Sequence, residues 1–142
     1  MAVITDIADA VVAELNGHAF SQPFTAVRHY RPIFDLKEMQ TLHVTVVPKG
    51  VTVERADRSR SQFEYQVDVA VQKKFEKGDA AELDPLVGLV EEIADHFRAG
   101  RLASYPEAAC TKTEHAPVYA PEHMDELRQF TSVLTLTLRV VR

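Results

Sequence analysis

The sequence predicts an α+β fold. It is expected to form one domain over residues 1–142, with two amphipathic helices packed on one face of a mostly antiparallel sheet and a long charged β-hairpin. Three observations lead there. Residues 4–15 and 85–99 carry apolar side chains at helical spacing, which makes a buried stripe on each. Three other stretches alternate apolar and polar residues with the period of a half-buried strand. Between the first two of these lies ERADRSRS, a short charged run that suits a hairpin tip.

The first helix places Ile4, Ile7, Ala8, Val11, Val12 and Leu15 on one side, with Asp6, Asp9 and Glu14 on the other. Asn16-Gly17 is the expected stop, because glycine tolerates a left-handed position at a helix C-terminus. From Phe24 to Arg31 the chain reads as a first, less regular strand that ends at Pro32. Leu42, Val44 and Val46 then alternate with Thr41, His43 and Thr45. Pro48-Lys49-Gly50 interrupts the pattern, and Val51-Thr52-Val53 resumes it.

The clearest strand runs from Gln62 to Gln72. Phe63, Tyr65, Val67, Val69 and Val71 share one face; the other carries Gln62, Glu64, Gln66, Asp68 and Gln72, and is expected to meet water or a polar partner. Asp84 and Pro85 look like the N-cap and first residue of the second helix, whose stripe is Leu83, Leu86, Val87, Val90, Ile93, Ala94 and Phe97, with Gly100 closing it. Gly88 costs this helix about 1 kcal/mol relative to alanine, and close packing on the sheet is the expected reason. A further strand is expected around 108–114, followed by the loop HAPVYAPEHMDEL. In the last strand Ser132, Leu134, Leu136, Leu138 and Val140 alternate with Thr131, Val133, Thr135, Thr137 and Arg139. The expected order is α-β-β-β-α-β-β.

Composition narrows the function. Sixteen basic against twenty-one acidic side chains give a net charge of −5, where a dedicated nucleic-acid binder would carry a basic excess. A single cysteine, Cys110, excludes an intramolecular disulfide framework and a four-cysteine metal site. No apolar run approaches the roughly 20 residues that span a bilayer, and the acidic N-terminal stretch does not read as a signal peptide. A soluble protein of the cytoplasm is the expectation.

No catalytic, cofactor-binding or metal-binding motif is present: there is no GxGxxG, GxxxxGK[ST], HExxH, GxSxG or CxxC. His115 and His123, next to Glu114 and Glu122, are candidate metal ligands, but their irregular spacing in a loop favours plain solvated residues. His96 is expected to form an i,i+4 surface pair with Glu92, and His18 and His29 carry no pattern. Glu91, Glu92 and Asp95 read as a hydrophilic helix face, and Cys110 as a small semi-buried residue. Two basic clusters remain. Arg55, Arg58 and Arg60 lie at the hairpin tip, while Lys73, Lys74 and Lys77 follow the long strand. Eleven strand residues separate the clusters by roughly 36 Å, too far for one nucleic-acid patch. Between Lys49 and Ser61 the balance is +2, with four basic and two acidic residues, on an acidic chain. This 49–61 tip is a candidate intersubunit arm; a solvated turn is the equal alternative.

The blocks RPIFDLKEMQTLHVTVVP, FEYQVDVAVQKKF, DPLVGLVEEIADHFRAGRL and VYAPEHMDELRQFTSVLTLTLRVV together cover most of residues 30–141. In order, length and texture they resemble the tail terminator and neck (head–tail joining) proteins of long-tailed bacteriophages. The resemblance implies a structural virion protein, made in the host bacterial cytoplasm and without catalytic residues, cofactor or metal. It implies a homohexameric ring that caps the tail tube, meets the head-side connector or stopper protein, and lets DNA pass through its lumen without sequence recognition or membrane contact. Two other classes stay open: another head–tail joint protein, such as a head-completion or stopper ring, and a small enzyme subunit with an interface site at His115, His123 and Glu122.

Overall fold

The computed structural model describes residues 2–30, 41–98, 100–115, 121–122 and 128–142. In chain order the elements are α1 (Val3–Asn16), β1 (Ala26–Arg28), β2 (His43–Arg55), β3 (Ser61–Lys74), α2 (Ala80–Phe97), β4 (Arg101–Leu102), β5 (Tyr105–Glu114) and β6 (Gln129–Val141). The strands form one six-stranded sheet in the order β1-β2-β3-β6-β5-β4. The three strongest alternations of the sequence are thus direct neighbours at its centre. The fold is α+β as expected, but the sheet is mixed rather than mostly antiparallel, because β1 joins β2 in parallel. β4, only two residues long, lies at the far edge and was not expected.

Register shows why alternation worked. Val67 pairs with Leu136, Val69 with Leu134 and Tyr65 with Leu138, so the apolar faces of β3 and β6 coincide. Val44 and Val46 extend that face through Val71 and Val69. All of these, together with Ile7, Val11 and Leu15 of α1 and Leu86, Leu89, Ile93 and Phe97 of α2, form one buried hydrophobic cluster. Burying a side chain of this size contributes about 1.5–3 kcal/mol. Leu89, left off the predicted stripe, is fully buried, whereas Leu83 and Val87 lie at the margin of the core. The polar face divides: Gln66 is exposed, but Thr45, Ala70, Gln72 and Thr131 are buried, so that face meets water along only part of its length.

Several local expectations need correction. α2 begins five residues before Pro85. Asp79 is its N-cap, accepting from the Glu82 amide at 3.1 Å. The Glu82 carboxylate reaches back to the amides of Gly78 (2.8 Å), Lys77 (2.9 Å) and Glu76 (3.1 Å). Asp79 thus satisfies one amide of the first turn, while Glu82 ties the preceding loop to the helix, and the loop amides, the Gly78 one foremost, hold the Glu82 carboxyl below its usual range. Pro85 therefore sits inside the helix, at the cost of one backbone hydrogen bond. Gly17 closes α1 at φ −89°, not in the left-handed region. A Cβ added to Gly88 would meet nothing within 4 Å, so close packing on the sheet does not explain this glycine. Gly78 is different: its φ is +70° and a Cβ would lie 2.9 Å from the Phe75 ring.

β1 is held from two sides. Asn16, at the end of α1, accepts from the Ala26 amide at 2.7 Å and donates to its carbonyl at 3.1 Å. On the other side, the Val46 carbonyl accepts from the His29 amide at 3.0 Å. Alternation then turns Pro48 toward the same edge of β2, beyond the last residue of β1, where its missing N–H costs no ladder bond. This is how a proline sits within a 13-residue strand.

Candidate functional site

The hairpin of β2 and β3 is paired from His43–Gln72 to Arg55–Ser61, with an irregularity between Pro48 and Gly50. Its end is ordered by one carboxylate. Asp57 Oδ1 accepts from the amides of Ser59 (2.9 Å) and Arg60 (2.8 Å), and Oδ2 accepts from Arg60 Nε at 3.0 Å. These bonds, the Ser59 amide foremost, hold the Asp57 carboxyl below its usual value. Arg55 folds back on the turn, donating to the carbonyls of Asp57 and Arg58 at 3.1 Å each. The structure therefore brings the three expected arginines together but uses them differently. Arg60 is paired with Asp57, Arg55 braces the backbone, and the Arg58 side chain makes no hydrogen bond or ion pair among the described residues. Lys73 and Lys74 lie at the opposite end of β3, as the spacing required.

Beyond Pro48 the apolar face of the hairpin continues, and among the described residues no helix covers it. Every residue from Val51 to Arg60 is exposed. Val51 and Val53 pair with Tyr65 and Phe63 and stand 50% and 52% exposed, where Val44 and Val46 of the same strand are buried. Phe63 stacks parallel on Tyr65 with ring centroids 5.9 Å apart. Arg142 lies 4.1 Å over the Phe63 ring and donates to the Tyr65 hydroxyl at 3.1 Å. Sequence reasoning recognised these residues as strand but missed the uncovered face; two valines in phase with Phe63, beyond the reach of either predicted helix, were its signal.

The histidines are arranged otherwise than expected. His96 does not pair with Glu92, which instead accepts from the amide and hydroxyl of Ser21. The partner of His96 is Glu14 of α1, at 3.0 Å, and the His18 ring packs on His96 with centroids 4.3 Å apart. Burial opposes ionisation of Glu14, but the Ala103 amide, at 2.7 Å, and His96 outweigh it and lower its pKa. The cluster ties α1, α2 and the β4–β5 turn together. Among the described residues no group of three or more His, Cys, Asp or Glu could hold a metal. His115 lies at the end of β5, Glu122 is exposed, and His123 falls outside the described residues. Cys110 is buried, which pushes its thiol pKa up and leaves it a poor nucleophile. No helix among the described residues is long and apolar enough to cross a membrane.

No protein-family model matches the sequence, and no match is found among curated proteins. A solved structure does match the fold. It is the sheath/tube terminator of an extracellular contractile injection system, PVC, seen in its extended state by cryo-electron microscopy. The superposition covers 98% of this chain at 14% sequence identity, with a TM-score of 0.50. It takes in 56% of that chain, so the present sequence spans a little over half of its length. The shared feature is the fold: this chain has a terminator-like architecture.

Proposed function

We propose that the chain is a structural virion protein of tail-terminator type, in which copies form a ring, with six the expected number, that caps the tail tube and joins it to the head-side connector. The observation that carries this reading is the terminator-like fold over 98% of the chain. The uncovered hairpin supports it, since a lone protomer leaves Val51 and Val53 in water while a ring offers them a neighbour. In this reading the protein is not an enzyme, and the ring is assembled in the host cytoplasm as a single-domain subunit. A net charge of −5 suits a lumen through which DNA slides, because a basic lining would grip phosphates. The comparison favours one variant, a terminator that meets a sheath as well as a tube. The test is electron microscopy of tail tubes mixed with the purified protein. Ring-shaped density at one end of each tube is expected; binding along the tube wall, or none, would overturn the reading.

A further inference from the structure

The charge of the chain is divided unevenly. Residues 76–95, which hold the start and outer face of α2, contain seven carboxylates and one lysine, a net −6. Residues 49–61 carry +2, and the whole chain only −5. At the N-terminal end of α2 the structure also has a cleft of about 180 Å³, with Leu83 and Val87 over Phe130 as its floor and Asp79 and Asp84 on its rim. That volume is below the roughly 300–1,000 Å³ of small-molecule sites and suits a few side chains of another protein. Asp79 and Asp84 are exposed, and Asp84 has no ion-pair partner among the described residues.

The uncovered hairpin is the complement of this cleft, apolar through Val51 and Val53 and basic through Arg58. The two cannot meet within one chain. Phe63 stands at one end of β3, and Lys73, which pairs with Phe130 at the cleft, stands ten residues away. At about 3.3 Å per residue that is roughly 33 Å of rigid sheet. We propose that the hairpin of one copy seats its Val51–Val53 face in the Leu83–Val87 cleft of the next copy, with the arginine tip against the carboxylates of α2. The proposal rests on the ring reading above and specifies which surfaces meet. Such a contact is heterologous: each copy offers a hairpin on one side and a cleft on the other, and a ring closes if the rotation allows.

The test uses two variants of the full chain, each spoiling one surface at exposed positions: V51D/V53D in the hairpin, and A80R/D84R at the cleft. Each alone is expected to need at least tenfold more protein than wild type to assemble, as read by sedimentation velocity, with an unchanged circular dichroism spectrum. Mixed one to one, each supplies the surface that the other lacks, so a dimer of one of each is expected and nothing larger. If both variants form the wild-type ring, the contact is wrong while the ring reading stands. If the variants are monomeric alone and remain so when mixed, the head-to-tail pairing is overturned. If wild type itself stays monomeric at every concentration, alone and with tubes, the ring reading falls and this contact with it.

Discussion

Two halves of one hairpin differ in what covers them. In the half from His43 to Val46 and its partners on β3, α1 packs over β2 while α2 covers the adjoining β6, and Val44, Val46, Val69 and Val71 are nearly inaccessible. In the half from Val51 to Phe63 the same alternation continues, but the helices end and the valines are half exposed. Secondary structure follows the local pattern in both halves; burial follows only where the chain supplies a second layer. An apolar face that its own chain does not cover is the kind of surface by which subunits recognise one another.

The sharpest break of this comparison is a matched pair of truncations. Ile93→Ala or Phe97→Ala should destabilise the core shared by the helices and the covered part of the sheet by about 2–5 kcal/mol in urea unfolding, through lost burial and a cavity. Val53→Ser, in the uncovered half, should stay within about 0.5 kcal/mol of wild type for the monomer. Equal losses at both positions would mean that the halves are not different. Next in size, Gly78→Ala should cost about 1–3 kcal/mol, because it forces a side chain into a left-handed backbone against the Phe75 ring. A smaller effect is expected from acid. The Glu14 pKa is lowered in the folded protein from a reference of 4.5, so its contribution is fully present above that reference and is lost as pH falls through the folded value. Acid titration of stability should therefore be shallower in Glu14→Gln than in wild type below about pH 4.5. A small monomer effect belongs to the tip. Replacing Arg55, Arg58 and Arg60 together by Glu should leave the monomer folded, at a cost of no more than about 1 kcal/mol in urea, because the bonds of Arg55 and Arg60 are exposed. The same triple variant should weaken assembly, more so at low salt, where charge repulsion is least screened.

How much of this was legible in the sequence depended on distance along the chain. β2, β3 and β6 were readable because period-two burial is written into consecutive residues such as Phe63 to Val71. The start of α2 was misread because Asp84-Pro85 is a strong local signal; the Asp79-x-x-Glu82 spacing was equally visible, and Asp79 is the residue that caps the helix. The parallel seat of β1 was not readable, since it depends on Asn16 and Val46 bonding it from opposite sides. The partner of His96 is 82 residues away, beyond any helical spacing rule. At the candidate site the arginine cluster was legible as a charge pattern. Its internal division, with Arg60 held by Asp57 and Arg58 free, was not, because it is set by the geometry of a single turn.

The claim that rests most on this contrast is that the uncovered half of the hairpin becomes covered by a neighbouring copy. Native mass spectrometry of the purified full-length protein over a hundredfold range of concentration, alone and with tail tubes, tests it most directly. A single closed oligomer is expected, with six copies as the expected number, and it should be lost when Val51 and Val53 are both changed to Asp. A protein that is monomeric throughout, or an oligomer that survives those two substitutions unchanged, would contradict it.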